Sequence, residues 1–136
     1  MFNRVLISSV FLTMLAASAS ASDYCRYSPT RLFDGAKATT NVMVVVADVP
    51  RPVYPGHGPN RPWCIESWRS QGAEDLPTII EKPTIGEVHV KRSQVFYKGN
   101  KIGHDHFVIE KVWYGRSNER YKATVVYEVD VVGAPL

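Results

Sequence analysis

The stretch RYKATVVYEVDVV, from Arg120 to Val132, alternates between apolar side chains and mostly polar ones. Successive side chains of a β-strand point to opposite faces of a sheet, so this pattern predicts a strand with one face in a core. The opposite face carries charges such as Lys122, Glu128 and Asp130. Six residues share the predicted inner face: Tyr121, Ala123, Val125, Tyr127, Val129 and Val131.

The segments before this stretch also have strand patterns, joined by turn signals. No convincing period of 3.6 residues occurs after residue 22, and the polar RSNE segment (116–119) predicts a hairpin turn before Arg120. About seven short strands predict an all-β fold, an antiparallel β-sandwich. The β-branched stretch TTNVMVVVADV (39–49) predicts a strand buried on both faces. The other predicted strands are IESWRSQ (65–71), PTIIEKP (77–83), GEVHVKR (86–92), QVFYK (94–98) and HFVIEKVWYG (106–115).

The N-terminus has the pattern of a secretory signal peptide. Arg4 precedes an apolar run over residues 5–17, and small residues follow, ending in Ala21. We expect cleavage after Ala21, which leaves one domain over residues 22–136. The apolar run is shorter than the roughly 20 residues that span a bilayer, so no membrane span is expected after cleavage.

Two cysteines remain in the expected mature chain, Cys25 and Cys64. An even count in an exported chain predicts one disulfide, formed in the periplasm or outside the cell. The bridge closes a loop of about 40 residues, which the chain-entropy account values at about 4 kcal/mol. The sequence contains no C-x-x-C motif, the pattern that would indicate a redox or metal site.

A proline-rich segment, residues 50–62, interrupts the strand patterns. Its five prolines and two glycines predict an irregular loop, and loops on rigid sheets concentrate binding residues. Aromatic and arginine side chains are enriched at interface hot spots. We therefore predict a recognition loop, although Trp63, next to Cys64, is itself expected to pack over the disulfide. The candidate binding residues are Arg51, Val53, Tyr54, His57, Arg61, Trp63 and Trp68.

The segment GHDHFVIE (103–110) places two histidines around an aspartate. Strand alternation puts His104 and His106 on the solvent face, and Asp105 and Phe107 on the core face. An inward carboxylate at a strand end commonly accepts hydrogen bonds from backbone N–H groups of an adjoining loop. We therefore expect Asp105 to be structural.

The C-terminal half resembles the bacterial immunoglobulin-like or cadherin-like repeat over about 50 residues. That repeat follows the order P-x-x-G-x-V, V-x-Y, G-x-D-x-F and alternating valines. The resemblance implies an immunoglobulin-like β-sandwich in which Asp105 is structural. Tyr97 and Phe107 are likewise expected to be structural. The matching residues are Pro83, Gly86, Val88, Val95, Tyr97, Gly103, Asp105 and Phe107.

Catalytic signals are lacking in the sequence. It contains no G-x-S-x-G motif, and its glycine-rich GHG segment lies between prolines and opens no helix. The formal net charge is +3 without a basic run, so a nucleic-acid partner is not expected. We expect no catalytic residue, cofactor or metal.

The sequence therefore predicts a small exported binding or structural module of the bacterial cell envelope. Its expected partner is a protein or an envelope component, or else a glycan. Two alternatives stay open. One is a metal-dependent enzyme that uses His89, His104 and His106. The other is a carbohydrate-binding module that uses Tyr54, Trp63 and Trp68 as stacking platforms.

Overall fold

A computed structural model describes residues 24–51, 62–70 and 76–135. Of these residues 59% lie in strands and none in a helix, which confirms the all-β prediction. The predicted signal peptide (1–21) lies outside the described residues. The eight strands are β1 (Cys25–Tyr27), β2 (Lys37–Val45), β3 (Cys64–Ser67), β4 (Thr78–Glu81), β5 (Gly86–Lys91), β6 (Gln94–Gly99), β7 (Gly103–Tyr114) and β8 (Arg120–Val132).

The strands form two sheets. The larger sheet has the order β1-β2-β8-β7-β4, and the smaller has the order β3-β6-β5. The chain moves to the smaller sheet after β2, returns for β4, and moves again for the β5–β6 hairpin before it ends in β7 and β8. One continuous cluster of buried side chains draws on both sheets, so the core lies between them.

The two longest strands, β7 and β8, form a hairpin in the larger sheet. The two strands have 12 and 13 residues, and every residue of β7 pairs with β8, with Phe107 opposite Tyr127. Asn118 adopts a left-handed conformation (φ 62°) in the turn, where the predicted RSNE segment lies. Val125, Tyr127 and Val129 are fully buried, as the alternation predicts.

The prediction that all strands pair antiparallel is wrong for β2. This strand runs parallel to β8, with Val42 opposite Val129 and Val44 opposite Val131. Parallel neighbours need a long crossover connection, and here the chain between β2 and β8 includes the whole smaller sheet. Periodicity within β2 fixes its buried face but carries no information about its neighbour.

The prediction that residues 39–49 form a strand buried on both faces is also wrong. Thr39, Asn41 and Met43 are exposed, whereas Val42 and Val44 are buried. Buried residues follow one another only at Val44–Val46, at the end of the strand and one residue beyond it. The physical reason is that threonine and asparagine tolerate the solvent face of a sheet that packs a core on its other side.

Aromatic rings form the centre of the core. Phe107 stacks between Tyr97 and Tyr127, with ring centroids 5.4 Å and 4.4 Å apart and planes within 6° of parallel. Tyr97 belongs to the smaller sheet and the other two to the larger, so the column joins both. The predicted disulfide between Cys25 of β1 and Cys64 of β3 is present and joins the sheets at one side.

Candidate functional site

Asp105 lies inside the domain, as the strand alternation predicts. Its side chain is 2% exposed. Oδ1 accepts hydrogen bonds from the backbone N–H groups of Thr84 (2.8 Å) and His106 (2.9 Å), and Oδ2 accepts from the Tyr97 hydroxyl (2.7 Å) and the Ile85 N–H (3.3 Å). Burial raises the pKa of Asp105, but these hydrogen bonds outweigh burial and hold the pKa below its usual value.

Gly86 completes this cluster. A Cβ atom at this position would lie 2.4 Å from the Tyr97 hydroxyl oxygen and 2.6 Å from the carbonyl oxygen of Lys98. Any larger residue would therefore push Tyr97 away from Asp105. The glycine, tyrosine and aspartate that carry the sequence resemblance thus meet in space and fix the connection between β4 and β5.

The two histidines beside Asp105 form a chain of ion pairs on the solvent face of the larger sheet. Glu128 lies between them, with its oxygens 2.7 Å from His104 Nε2 and 2.8 Å from His106 Nδ1. Asp130 lies 3.0 Å from His104 Nδ1, and Glu81 lies 3.4 Å from His106 Nε2. Hydrogen bonds to Asp130 and Glu128 raise the pKa of His104, and the bond to Glu128 raises the pKa of His106.

The histidine cluster proposed for a metal enzyme is not assembled. His104 and His106 are neighbours on β7, but His89 lies on β5 in the other sheet, where its ring contacts Trp63. Among the described residues, no group of three or more histidine, cysteine, aspartate or glutamate side chains could hold a metal ion.

The recognition loop is described at its two ends. Val53, Tyr54, His57 and Arg61 lie outside the described residues. Arg51 folds back on β2: its guanidinium donates to the carbonyl oxygens of Val45 (2.6 Å) and Val49 (3.0 Å) and lies 5.3 Å from the ring centroid of Tyr24. Arg51 therefore anchors the start of the loop, while the disulfide at Cys64 anchors its end.

The two tryptophans point to opposite sides of the smaller sheet. Trp68 packs against the core, and its Nε1 donates to the carbonyl oxygen of Val112 (3.2 Å). Trp63 lies on the solvent side, so the prediction that it packs over the disulfide is wrong. The reason is alternation: Cys64 is 1% exposed and points inward, and its neighbour must point outward. The stacking platform that combines the two rings is therefore not formed.

Trp63 belongs to a solvent-facing group on the smaller sheet, which we call the aromatic face: Trp63, Ile65, His89 and Phe96. Phe96 pairs with Ile65 on one side and with His89 on the other. The rings of Trp63 and His89 lie 4.8 Å apart at an angle of 53°. A shallow depression of about 470 Å³ is lined by Trp63, His89, Val90, Lys91 and Phe96.

Charged side chains border the aromatic face. Lys98 Nζ lies 4.9 Å from the ring centroid of Trp63 and 2.7 Å from Glu87 Oε2. Hydrogen bonds from Lys98, then from the side chain of Asn100, lower the pKa of Glu87. The result is a half-buried apolar patch with a charged rim, the arrangement found at protein interfaces.

A buried ion pair that sequence reasoning missed lies between the sheets. Lys111 of β7 is 2% exposed and forms an ion pair with Glu66 of β3. The hydroxyl of Tyr127 donates to the same carboxylate oxygen (2.7 Å), and Lys111 Nζ lies 4.7 Å from the ring centroid of Trp68. Burial lowers the pKa of Lys111, partly offset by Glu66. The rings of Trp68 and Tyr127 and the carboxylate of Glu66 thus surround this ammonium group.

Comparison with known proteins finds no matching family model, no similar curated protein and no similar solved structure. Within the described ranges, no helix is long and apolar enough to cross a membrane.

Proposed function

We propose that this protein is a small exported, non-catalytic binding module of the bacterial cell envelope, and that it recognises a protein partner through the aromatic face. The carrying observation is the cluster of Trp63, His89 and Phe96 on the solvent side of a sheet that the disulfide holds in place. A few hot-spot residues carry most of the binding energy of protein interfaces, and tryptophan is among the residues enriched there.

The position of the face relative to the proline-rich loop supports this proposal. Trp63 follows Pro62, the last residue of the loop, so the loop ends at the face. Arg51 and the Cys25–Cys64 bridge fix the two ends of the loop on the domain. A rigid support lowers the entropy lost on binding. The loop and the aromatic face together form the proposed recognition surface.

Export is part of the proposal. The signal-peptide pattern at residues 1–21 and the Cys25–Cys64 disulfide are consistent with an oxidising compartment, either the periplasm or the extracellular space. The domain is further proposed to be immunoglobulin-like. Support comes from the two-sheet architecture and from the contacts among Gly86, Tyr97 and Asp105, which carry the sequence resemblance.

The two alternatives have less support. A glycan could stack on Trp63, but Trp68 is turned into the core, and Lys98 and His89 already contact the Trp63 ring. A metal-dependent enzyme needs converging ligands, whereas His104 and His106 are engaged by carboxylates and His89 lies on the other sheet.

Capture from a bacterial envelope extract tests the proposal. The immobilised disulfide-bonded protein is compared with a Trp63→Ser/Phe96→Ser variant and with a control variant, Met43→Ser. Met43 is an apolar residue on the outer face of the other sheet and is 36% exposed. A protein retained by the wild type and the control, but lost with the face variant, supports the proposal.

Two outcomes contradict the proposal. Equal retention by all three proteins means that the aromatic face is not the binding surface. If the protein captures no envelope protein but binds to a glycan array, the carbohydrate alternative is supported instead. Thermal melts of each variant show whether a loss of binding reflects unfolding instead.

A further inference from the structure

The four edge strands of the two sheets differ in how open they are. β1 and β3 have three and four residues, and the disulfide joins them. β4 has four residues, a register shift between Ile79 and Glu81, and prolines at positions 77 and 83. β5 has six residues in regular register and contains no proline. β5 is therefore the longest and most regular of the four edges, and the device against strand addition that it does carry is its exposed charges, Glu87 and Lys91.

The backbone of β5 presents unpaired groups at this edge. The N–H of Asn100 donates to the carbonyl oxygen of Ile85, which makes this pair a hydrogen-bonded one. Hydrogen-bonded pairs alternate in an antiparallel ladder, so residues 87, 89 and 91 bond to β6. The N–H and C=O groups of Gly86, Val88 and Val90 then point to the free edge. In the described part of the chain, β5 pairs with β6 alone.

Space beside this edge is open. A groove of about 230 Å³ runs along β5 and is lined by Ile79, Lys82, Pro83, Val88 and their neighbours. The groove separates this part of β5 from Ile79 of β4 and from the β4–β5 connection. An added strand would extend the smaller sheet and continue the aromatic face, because His89 is the outermost member of that face.

The sequence of β5 is complementary to itself. When two copies pair antiparallel about His89, Glu87 of each copy lies opposite Lys91 of the other. Val88 then lies opposite Val90 of the second copy, and these are the residues whose backbone groups point outward. Centring the pairing on Val88 or Val90 instead places a charged residue opposite His89 and loses both Glu–Lys pairs. Opposite charges directly across an antiparallel pair stabilise it.

Glu87 and Lys91 can each contact a second copy of the chain. Lys98 and Asn100 both bond to Oε2 of Glu87, which leaves Oε1 for a second cation. Lys91 is exposed at the end of β5. We propose that the protein forms a two-fold symmetric dimer through antiparallel pairing of β5 with β5 of a second copy, centred on His89. The dimer does not rest on the proposed binding role, and His89 belongs to both surfaces.

Charge exchange tests the dimer. Glu87→Lys creates two lysine–lysine pairs across the dimer, and Lys91→Glu creates two glutamate–glutamate pairs. Each variant is expected to dimerise about tenfold more weakly than the wild type, or worse. An equimolar mixture of the two restores both Glu–Lys pairs and is expected to form a heterodimer. Sedimentation equilibrium measures each dissociation constant. Lys37→Glu on β2, in the other sheet, is the matched control.

Cysteine cross-linking tests the register. His89 of each copy faces its counterpart in a non-hydrogen-bonded pair, where Cα atoms lie about 4.5 Å apart, within the range of a disulfide. His89→Cys is expected to cross-link to a covalent dimer under mild oxidation. Lys91→Cys is the control, because four residues of stagger separate the two copies of Lys91 by about 13 Å along the strand.

Three results overturn the inference. The first is a protein that stays monomeric at concentrations up to several hundred micromolar. The second is a dimer whose dissociation constant is indifferent to both charge variants. The third is cross-linking of Lys91→Cys as efficient as that of His89→Cys. Thermal melts of each variant separate loss of dimerisation from loss of folding.

Discussion

The hydroxyl of Tyr97, on the smaller sheet, donates a hydrogen bond of 2.7 Å to Oδ2 of Asp105, on the larger sheet. This contact joins the two sheets near the start of β7. Asp105 also accepts hydrogen bonds there from the N–H groups of Thr84 and Ile85, in the β4–β5 connection. Replacement of Asp105 by alanine leaves several buried donors without an acceptor. The expected cost is about 1–3 kcal/mol of unfolding free energy.

Thermal and urea melts measure that cost. His104→Ala, on the neighbouring residue of the same strand but on the solvent face, is the matched control and is expected to change stability by about 0.5 kcal/mol or less. Asp105→Ala and His104→Ala with equal, small effects would contradict the inward role of Asp105. Because the folded pKa of Asp105 is depressed, its contribution is present above the unfolded pKa and is lost as pH falls through the folded value.

The ion-pair chain of His104, His106 and Glu128 is expected to make the stability of the protein depend on pH. Both histidines have folded pKa values raised above 6.5. Their stabilising contribution is therefore complete below about pH 6.5 and is lost as pH rises through the folded pKa values. The expected result is a melting temperature that falls as the pH rises above about 6.5. In Glu128→Gln this fall is expected to be smaller. An identical pH profile in the variant would show that these contacts do not affect folding.

The buried pair of Lys111 and Glu66 is expected to behave as a coupled unit. Lys111→Met leaves a carboxylate buried between the sheets without its cation, at an expected cost of about 3–5 kcal/mol. The double variant Lys111→Met/Glu66→Met removes both charges and is expected to recover most of that loss. Urea melts of the single and double variants form a double-mutant cycle. Additive effects in that cycle would contradict the coupling.

The proline-rich loop is expected to be dispensable for folding. Replacement of residues 53–60 with a short glycine–serine linker leaves the Arg51 contacts and the Cys25–Cys64 bridge in place. Loop length affects closure entropy weakly, so the melting temperature is expected to change by a few degrees at most. Partner capture is expected to be lost. An unfolded variant would show that the loop is part of the core.

Much of the strand pattern could be read from alternation, as in β7 and β8. The partners of each strand could not, because periodicity fixes which face is buried and not which strand lies alongside. This is why the parallel pairing of β2 with β8 was missed. The prediction that β2 is buried on both faces is wrong for a similar reason. A β-branched composition indicates a strand, but it does not indicate how many faces of the sheet are covered.

The candidate site was partly accessible to the same reasoning. Trp63 and Trp68 are five residues apart, so with Cys64 inward they must face opposite sides as long as the strand is regular. Lys111 shares the face of Phe107 and Ile109, and a lysine at an inward position signals a buried partner. Its partner Glu66 lies 45 residues away in another sheet, and no local pattern indicates that contact.

Hydroxyl-radical footprinting of the protein with its captured partner tests the proposed binding surface most directly. Trp63, His89 and Phe96 are readily oxidised side chains on the smaller sheet, and Met43, His104 and His106 are reference side chains on the outer face of the larger sheet. Binding through the aromatic face predicts that the partner protects the first three and leaves the reference residues unchanged. Protection of His104 and His106, with Trp63 and Phe96 still oxidised at their free rates, would contradict this account.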